Sequence, residues 1–219
     1  MTSRPSRPLD RRALAAAAVG LLALILTGCG ASAATPPGAS AAPAATAAST
    51  ACPTSQPAPL AAGETRTVLI KTSKGDITLK IEGSLSPIAA GNFVALAACG
   101  YYDGVVFHRV VPGFVIQGGD PTGTGGGGPG YAIQDEPVTA TYHRGTLAMA
   151  RTSQPNSQGS QFFIVLADDA AQALAAYNTY AIFGEVTTGM DAVDAIAAAA
   201  DQEIPTNPIV MDSVTVTNP

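Results

Sequence analysis

Residues 101–120 read Tyr-Tyr-Asp-Gly-Val-Val-Phe-His-Arg-Val-Val-Pro-Gly-Phe-Val-Ile-Gln-Gly-Gly-Asp. They bring a guanidinium, aromatic rings and an amide into one short span. Two β-branched runs flank Pro112-Gly113, the pattern of a hairpin. Val106, His108 and Val110 alternate with Val105, Phe107, Arg109 and Val111. Period-2 alternation sends the two sets to opposite faces and predicts Arg109 on the side of Phe107 and Val111. Phe114, Val115 and Gln117 follow on the return segment. A guanidinium keeps its proton at any working pH. The cluster can therefore offer a permanent charged donor beside apolar surface, which is chemistry by hydrogen bonding rather than by bond cleavage. Taken singly, an Arg on a strand is a solvated charge and a Phe is core.

Other chemistries find less support. The Gly-rich run 123–130 is not followed by Lys-Ser/Thr, so a phosphate cradle is weakly indicated. His108 and His143 are the two histidines of the chain, and neither has a partner at metal-ligand spacing. No Gly-x-Ser-x-Gly elbow is present for a hydrolase. No Lys/Arg cluster follows residue 12, which argues against nucleic acid as a partner.

The elements that must position the cluster read as follows. Residues 67–72 and 76–81 are short strands around Ser73-Lys74-Gly75, with Ile77, Leu79 and Ile81 alternating against polar neighbours. Ser86 is expected to cap a helix whose first residue is Pro87. Ile88, Phe93 and Leu96 form its apolar face, and Gly100 ends it. Residues 118–130, with eight Gly and two Pro, make a long loop. Strands are predicted over 146–151, 161–166, 180–186 and 209–217. A helical turn is expected over 168–174, and a helix over 189–200 with Met190, Val193 and Ile196 on one face. Many strands and two separate helices give a mainly β fold, a closed antiparallel β-barrel with the α-helices over its ends.

The string from Phe107 to Asp120 is similar to a signature of the cyclophilin family. Gly159-Ser160-Gln161-Phe162-Phe163-Ile164 resembles the family's second signature, and Tyr180-Ala181-Ile182-Phe183-Gly184 its late strand. The resemblance covers residues 66–217 and implies a domain over 66–219, folded as an eight-stranded barrel. It implies rotation about X–Pro peptide bonds in proline-containing polypeptides, with neither cofactor nor metal. Amide resonance sets that barrier at about 18–20 kcal/mol. Reaching milliseconds from tens to hundreds of seconds takes about 10⁴–10⁵-fold, or about 5.5–7 kcal/mol. Under the resemblance Arg109 donates to the imide nitrogen of the twisted bond and Gln117 orients it. Phe114, Val115, Phe163 and Leu174 line a proline pocket, Gln161 meets substrate backbone, and Tyr180 offers a hydroxyl. The main chain at Ala150 and Arg151 pairs with the substrate strand. The chain departs from the family in Val115 for a common Met, in Tyr180 for a common His, and in Arg151 for a common Asn. The loop 152–159 is one residue longer than the family's. The chain has no Trp, so weak cyclosporin binding is expected. A proline-binding module without turnover and a cell-envelope scaffold are the competing readings.

The N-terminus reads as an address. Arg4, Arg7, Arg11 and Arg12 precede an apolar stretch over 13–26, shorter than the roughly 20 residues that span a bilayer. Leu26-Thr27-Gly28-Cys29 resembles a bacterial lipobox, so residues 1–28 are expected to be a signal peptide and Cys29 the lipidated residue. An ordinary secretory leader is the alternative. Loss of residues 1–28 removes four Arg and one Asp, and the remaining seven cations and fifteen anions leave a formal charge of −8. Multiple acyl chains would anchor a monomer durably outside the cytoplasm. Residues 29–65 are Ala-, Pro-, Ser- and Thr-rich and read as a disordered tether of about 30–36 Å. A bridge between Cys52 and Cys99 is allowed outside the cytosol; two free thiols are an equal alternative.

Overall fold

The computed structural model describes residues 51–217. The expected signal peptide and Cys29, its expected lipidation site, lie outside them. The elements run β1 (Thr65–Thr72), β2 (Gly75–Glu82), α1 (Pro87–Ala98), β3 (Arg109–Val111), β4 (Val115–Gly118), β5 (Thr146–Met149), β6 (Phe162–Val165), α2 (Asp168–Tyr177), β7 (Ile182–Thr188), α3 (Met190–Ala199) and β8 (Met211–Thr217). The strands form one antiparallel sheet in the order β3-β4-β6-β5-β7-β2-β1-β8.

That sheet curls into a half-barrel and does not close, contrary to the expected barrel. β3 and β8 are its edges. The seam between them carries an isolated bridge, Val106 to Val210, and bonds such as Phe107 N to Ile209 O at 2.9 Å, but no ladder. The reason is local. β3 is three residues long, and the outward N–H of its Val110 donates to the Glu203 carbonyl at 2.8 Å. A loop thus covers the edge.

The same break corrects the facing of Phe107. Regular strand begins at Arg109, so alternation does not reach back to residue 107. Phe107 packs inward with Val110, edge-on to Phe162 with ring centres 6.3 Å apart.

Strand alternation builds two apolar layers. Ile116, Leu147, Phe162, Ile164 and Phe183 point into the curl with α1 and α3, around Phe93. Val115, Ala148, Phe163, Val165 and Ile182 point to the outer face, where α2 covers them with Ala170, Ala171 and Leu174. Among the described residues there are three helices rather than two. The stretch expected as a turn continues to Tyr177, started by Asp168 and Asp169 at the positive helix end and stopped by Asn178 in a left-handed conformation at φ 45°.

Ser86 stands at the N-cap of α1, but its hydroxyl makes no cap bond. Glu136, from a distant loop, takes that role. Its two oxygens accept from Ile88 N and Ala89 N, each at 2.8 Å. A carboxylate there satisfies two orphan donors and complements the helix dipole.

Residues 51–64 fall in the stretch read as a disordered tether. They form a strap against the body. Leu60 is buried, and its N–H donates to the Pro87 carbonyl at 2.9 Å. Two glycines make room: a Cβ at Gly91 would lie 2.3 Å from the Ala58 carbonyl oxygen, and one at Gly83 would lie 2.3 Å from that of Ala61. Cys52 is disulfide-bonded to Cys99 at the end of α1, with Cα atoms 5.2 Å apart.

Candidate active site

One rung of the sheet lays out the site. Arg109 on β3 pairs with Gln117 on β4, Gln117 with Phe163 on β6, and Phe163 with Ala148 on β5. All four project from the outer face. The rung puts charge at the sheet edge, an amide next to it and an aromatic ring beyond.

A cavity of about 180 Å³ opens above this rung. Arg109 and Gln117 form its polar side. Phe114, Val115, Phe163, Leu174 and Tyr180 form the apolar side, and Ala150 and Arg151 the rim. Val115, Phe163 and Leu174 are buried, so the apolar wall is fixed by the outer core layer. Tyr180 stands edge-on to Phe163, ring centres 5.4 Å apart at 84°.

Gln161 lines a neighbouring cleft of about 480 Å³ that shares Gln117, Ala150 and Arg151 with the first. It is wired to the rung from there. Gln117 Nε2 donates to Gln161 Oε1 at 2.9 Å, and Gln161 Nε2 donates to the carbonyls of Gly125 and Gly127, each at 2.9 Å. Arg109 Nη1 donates to Gln117 Oε1 at 3.5 Å, and Arg109 Nε to Glu203 Oε1 at 2.7 Å. Two of the five guanidinium N–H groups are so used, leaving three.

The Gly-rich loop that accepts from Gln161 is organised by Asp120. This buried carboxylate accepts from the backbone N–H groups of Thr122, Thr124, Gly125 and Gly127 at 2.6–3.1 Å. Burial pushes its pKa up, but the N–H groups of Gly127, Thr122 and Gly125 and the Thr122 hydroxyl outweigh burial and bring it down to about 2. The N–H groups that a phosphate would need are thus turned onto the protein's own anion. A side chain at Gly127 would put its Cβ 2.0 Å from Asp120 Oδ1.

Two further side chains settle the electrostatics. His108 is buried, and burial lowers its pKa, so it adds no positive charge beside Arg109 at neutral pH. Arg151 is tied down by its neighbours: it pairs with Asp135 at 3.1 Å and donates to the carbonyls of Thr152 and Gln154.

Sequence reading missed two residues that hold the site. The Tyr142 hydroxyl donates to the Tyr180 carbonyl at 2.8 Å and accepts from the Tyr180 N–H at 3.2 Å. Burial pushes its pKa up to about 12. Glu203 is the other. Each acts across a long sequence gap, and no spacing signal announced either.

Residues 67–216 match the family described as cyclophilin type peptidyl-prolyl cis-trans isomerase/CLD. The chain belongs to the cyclophilin family. Peptidyl-prolyl cis–trans isomerisation, the activity of that family, is its activity. Among relatives, a probable peptidyl-prolyl cis-trans isomerase A of Mycobacterium leprae is 42% identical over 171 residues, 68% of this chain and 91% of that protein. The corresponding protein of Mycobacterium bovis is 40% identical over 173 residues, 69% of this chain and 92% of its own. Among solved structures, a Cryptosporidium parvum cyclophilin type peptidyl-prolyl cis-trans isomerase is 36% identical with a TM-score of 0.64, covering 71% of this chain and all of that one. A second structure of it, in the presence of the dipeptide Ala-Pro, gives 37% and a TM-score of 0.63, covering 70% and 99%.

Proposed function

We propose that this cyclophilin is an exported foldase, held to the outer side of the membrane by a lipid on Cys29, that acts as a monomer on proline-containing stretches of other exported polypeptides. Arg109 is the catalytic residue. As the C–N bond twists, the imide nitrogen leaves conjugation and gains a lone pair. A donor aimed at that lone pair binds the twisted amide better than either planar form, which is what lowers a barrier. The proline ring sits among Phe114, Val115, Phe163 and Leu174, with Tyr180 closing one side. The main chain at Ala150 and Arg151 and the amide of Gln161 hold the substrate backbone while the bond's other end turns.

The observation that supports this reading is the meeting of a braced guanidinium and a preformed apolar cavity of about 180 Å³. No nucleophile is required, because no bond is broken. Export is supported by the Arg-rich, apolar, Cys-terminated leader and by a disulfide that oxidising compartments preserve. A protease-coupled isomerisation assay tests the chemistry: Pro-peptide binding that survives Arg109→Ala with no change in the exchange rate would make the protein a binding module. Fractionation of cells carrying Cys29→Ser tests the anchor. Material that stays with the membrane despite the change would refute it.

A further inference from the structure

Glu203 lies outside every motif that the sequence offers, in the loop between α3 and β8. It grips the edge strand twice. Its carbonyl accepts from Val110 N at 2.8 Å, and its carboxylate accepts from Arg109 Nε at 2.7 Å. The loop is itself braced. Thr206 N donates to Asp201 Oδ1 at 2.9 Å, and that bond helps hold the Asp201 carboxyl below its usual range. Phe107 N reaches the Ile209 carbonyl at the loop's far end.

We infer that Glu203 is the positioning residue for Arg109, fixing the plane of the guanidinium so that its remaining N–H groups face the cavity. This rests on the reading of Arg109 as the group that meets the twisted amide.

The geometry carries the inference in two steps. A guanidinium is flat, and its last torsions leave that plane free to turn unless two points on it are held. Gln117 supplies one point at Nη1, at 3.5 Å, the outer limit of a useful hydrogen bond. Glu203 supplies the second at Nε, and at 2.7 Å it is the firmer of the two. The side chains are 36% and 59% exposed, so the pair adds little to folding stability. Its effect falls on orientation, to which catalysis is far more sensitive than folding is. The carboxylate also offsets part of the charge that the imide nitrogen feels. A glutamine at this position keeps an acceptor for Nε and removes that offset, which separates orientation from charge.

The test compares kcat and KM of the full chain for wild type, Glu203→Ala, Glu203→Gln, Arg109→Ala and the Arg109→Ala/Glu203→Ala double variant, on one Pro-containing peptide. Glu203→Ala should lose about five-fold in kcat, about 1 kcal/mol on the barrier, with KM within about two-fold. Glu203→Gln should recover most of the loss, and the double variant should be no slower than Arg109→Ala alone. Three results overturn the inference: a Glu203→Ala enzyme at the wild-type rate, a Gln variant as slow as the Ala variant, or the same five-fold loss in the Arg109→Ala background. Should Arg109→Ala itself keep the wild-type rate, the assignment of Arg109 fails, a different result read from a different variant.

Discussion

Replacing Asp120 with Asn removes the anion at the centre of the Gly-rich loop while changing its shape little. In the wild type Oδ1 accepts from Thr122 N and its hydroxyl, at 2.7 and 2.8 Å. Oδ2 accepts from Thr124 N, Gly125 N and Gly127 N, at 3.1, 2.6 and 3.0 Å. An amide can keep one of these oxygens. With Oδ1 kept, the NH₂ group faces three N–H donors, which lose their acceptor. These donors are part-buried, on a loop whose Thr124 and Gly125 are exposed. Each therefore costs toward the low end of about 1–3 kcal/mol, and a loss of about 2–4 kcal/mol is expected. The pH dependence gives an independent figure. The carboxyl falls from its ordinary 3.8 to about 2 on folding. At 1.36 kcal/mol per pH unit this is about 2 kcal/mol of stability. Because the folded value is the lower one, that contribution is complete above about pH 4 and is lost as pH falls through about 2. Urea unfolding followed by far-UV circular dichroism suits a chain without Trp. The deficit of Asp120→Asn should be largest at pH 7 and shrink by about 2 kcal/mol by pH 2. Activity should fall as well, since the loop's carbonyls brace Gln161. A variant within about 1 kcal/mol of wild type at pH 7, or a deficit equal at both pH values, would refute this account of the loop.

Gly91→Ala should destabilise although Ala is the better helix former by about 1 kcal/mol. Its Cβ drives the strap away and exposes Leu60, worth about 1.5–3 kcal/mol; a stabilised variant in the same urea assay would show that the strap contributes little. Cys52→Ser opens a loop spanning 47 residues, for which the chain-entropy estimate is at most about 4 kcal/mol. The melting temperature should drop by roughly 10 °C, and an unchanged melt would contradict the bridge's role. Tyr142→Phe strips both bonds from the Tyr180 main chain. It should raise KM several-fold and cost about 1–3 kcal/mol of stability; wild-type KM would mean that Tyr180 does not depend on this hydroxyl.

Val115 and Gln117 entered the candidate site through the resemblance of their stretch to a family signature. The strand's period of two is the local rule that explains the facing: Val115 lies in the outer layer and its neighbour Ile116 in the inner one. Phe107 escaped that rule because the strand is broken before Arg109. Glu203 and Arg109 are 94 residues apart, and nothing near either predicts the other; the contact exists because a loop returns to cover a sheet edge. The strap was illegible for another reason. Its own composition carries one large apolar residue, Leu60, and its complement is written in the glycines that receive it, Gly83 and Gly91. The barrel was expected to close because strand counting does not register that β3 is too short to form a ladder with β8.

The most direct measurement is the isomerisation rate of Arg109→Lys beside Arg109→Ala on one Pro-containing peptide. Lysine keeps the charge but loses the planar fork that Glu203 and Gln117 hold. Both variants are expected to lose about 100-fold in kcat/KM, roughly 3 kcal/mol of the barrier, while still binding the peptide. A lysine enzyme with nearly full kcat/KM would show that a mobile positive charge suffices and that the held guanidinium is not the working part.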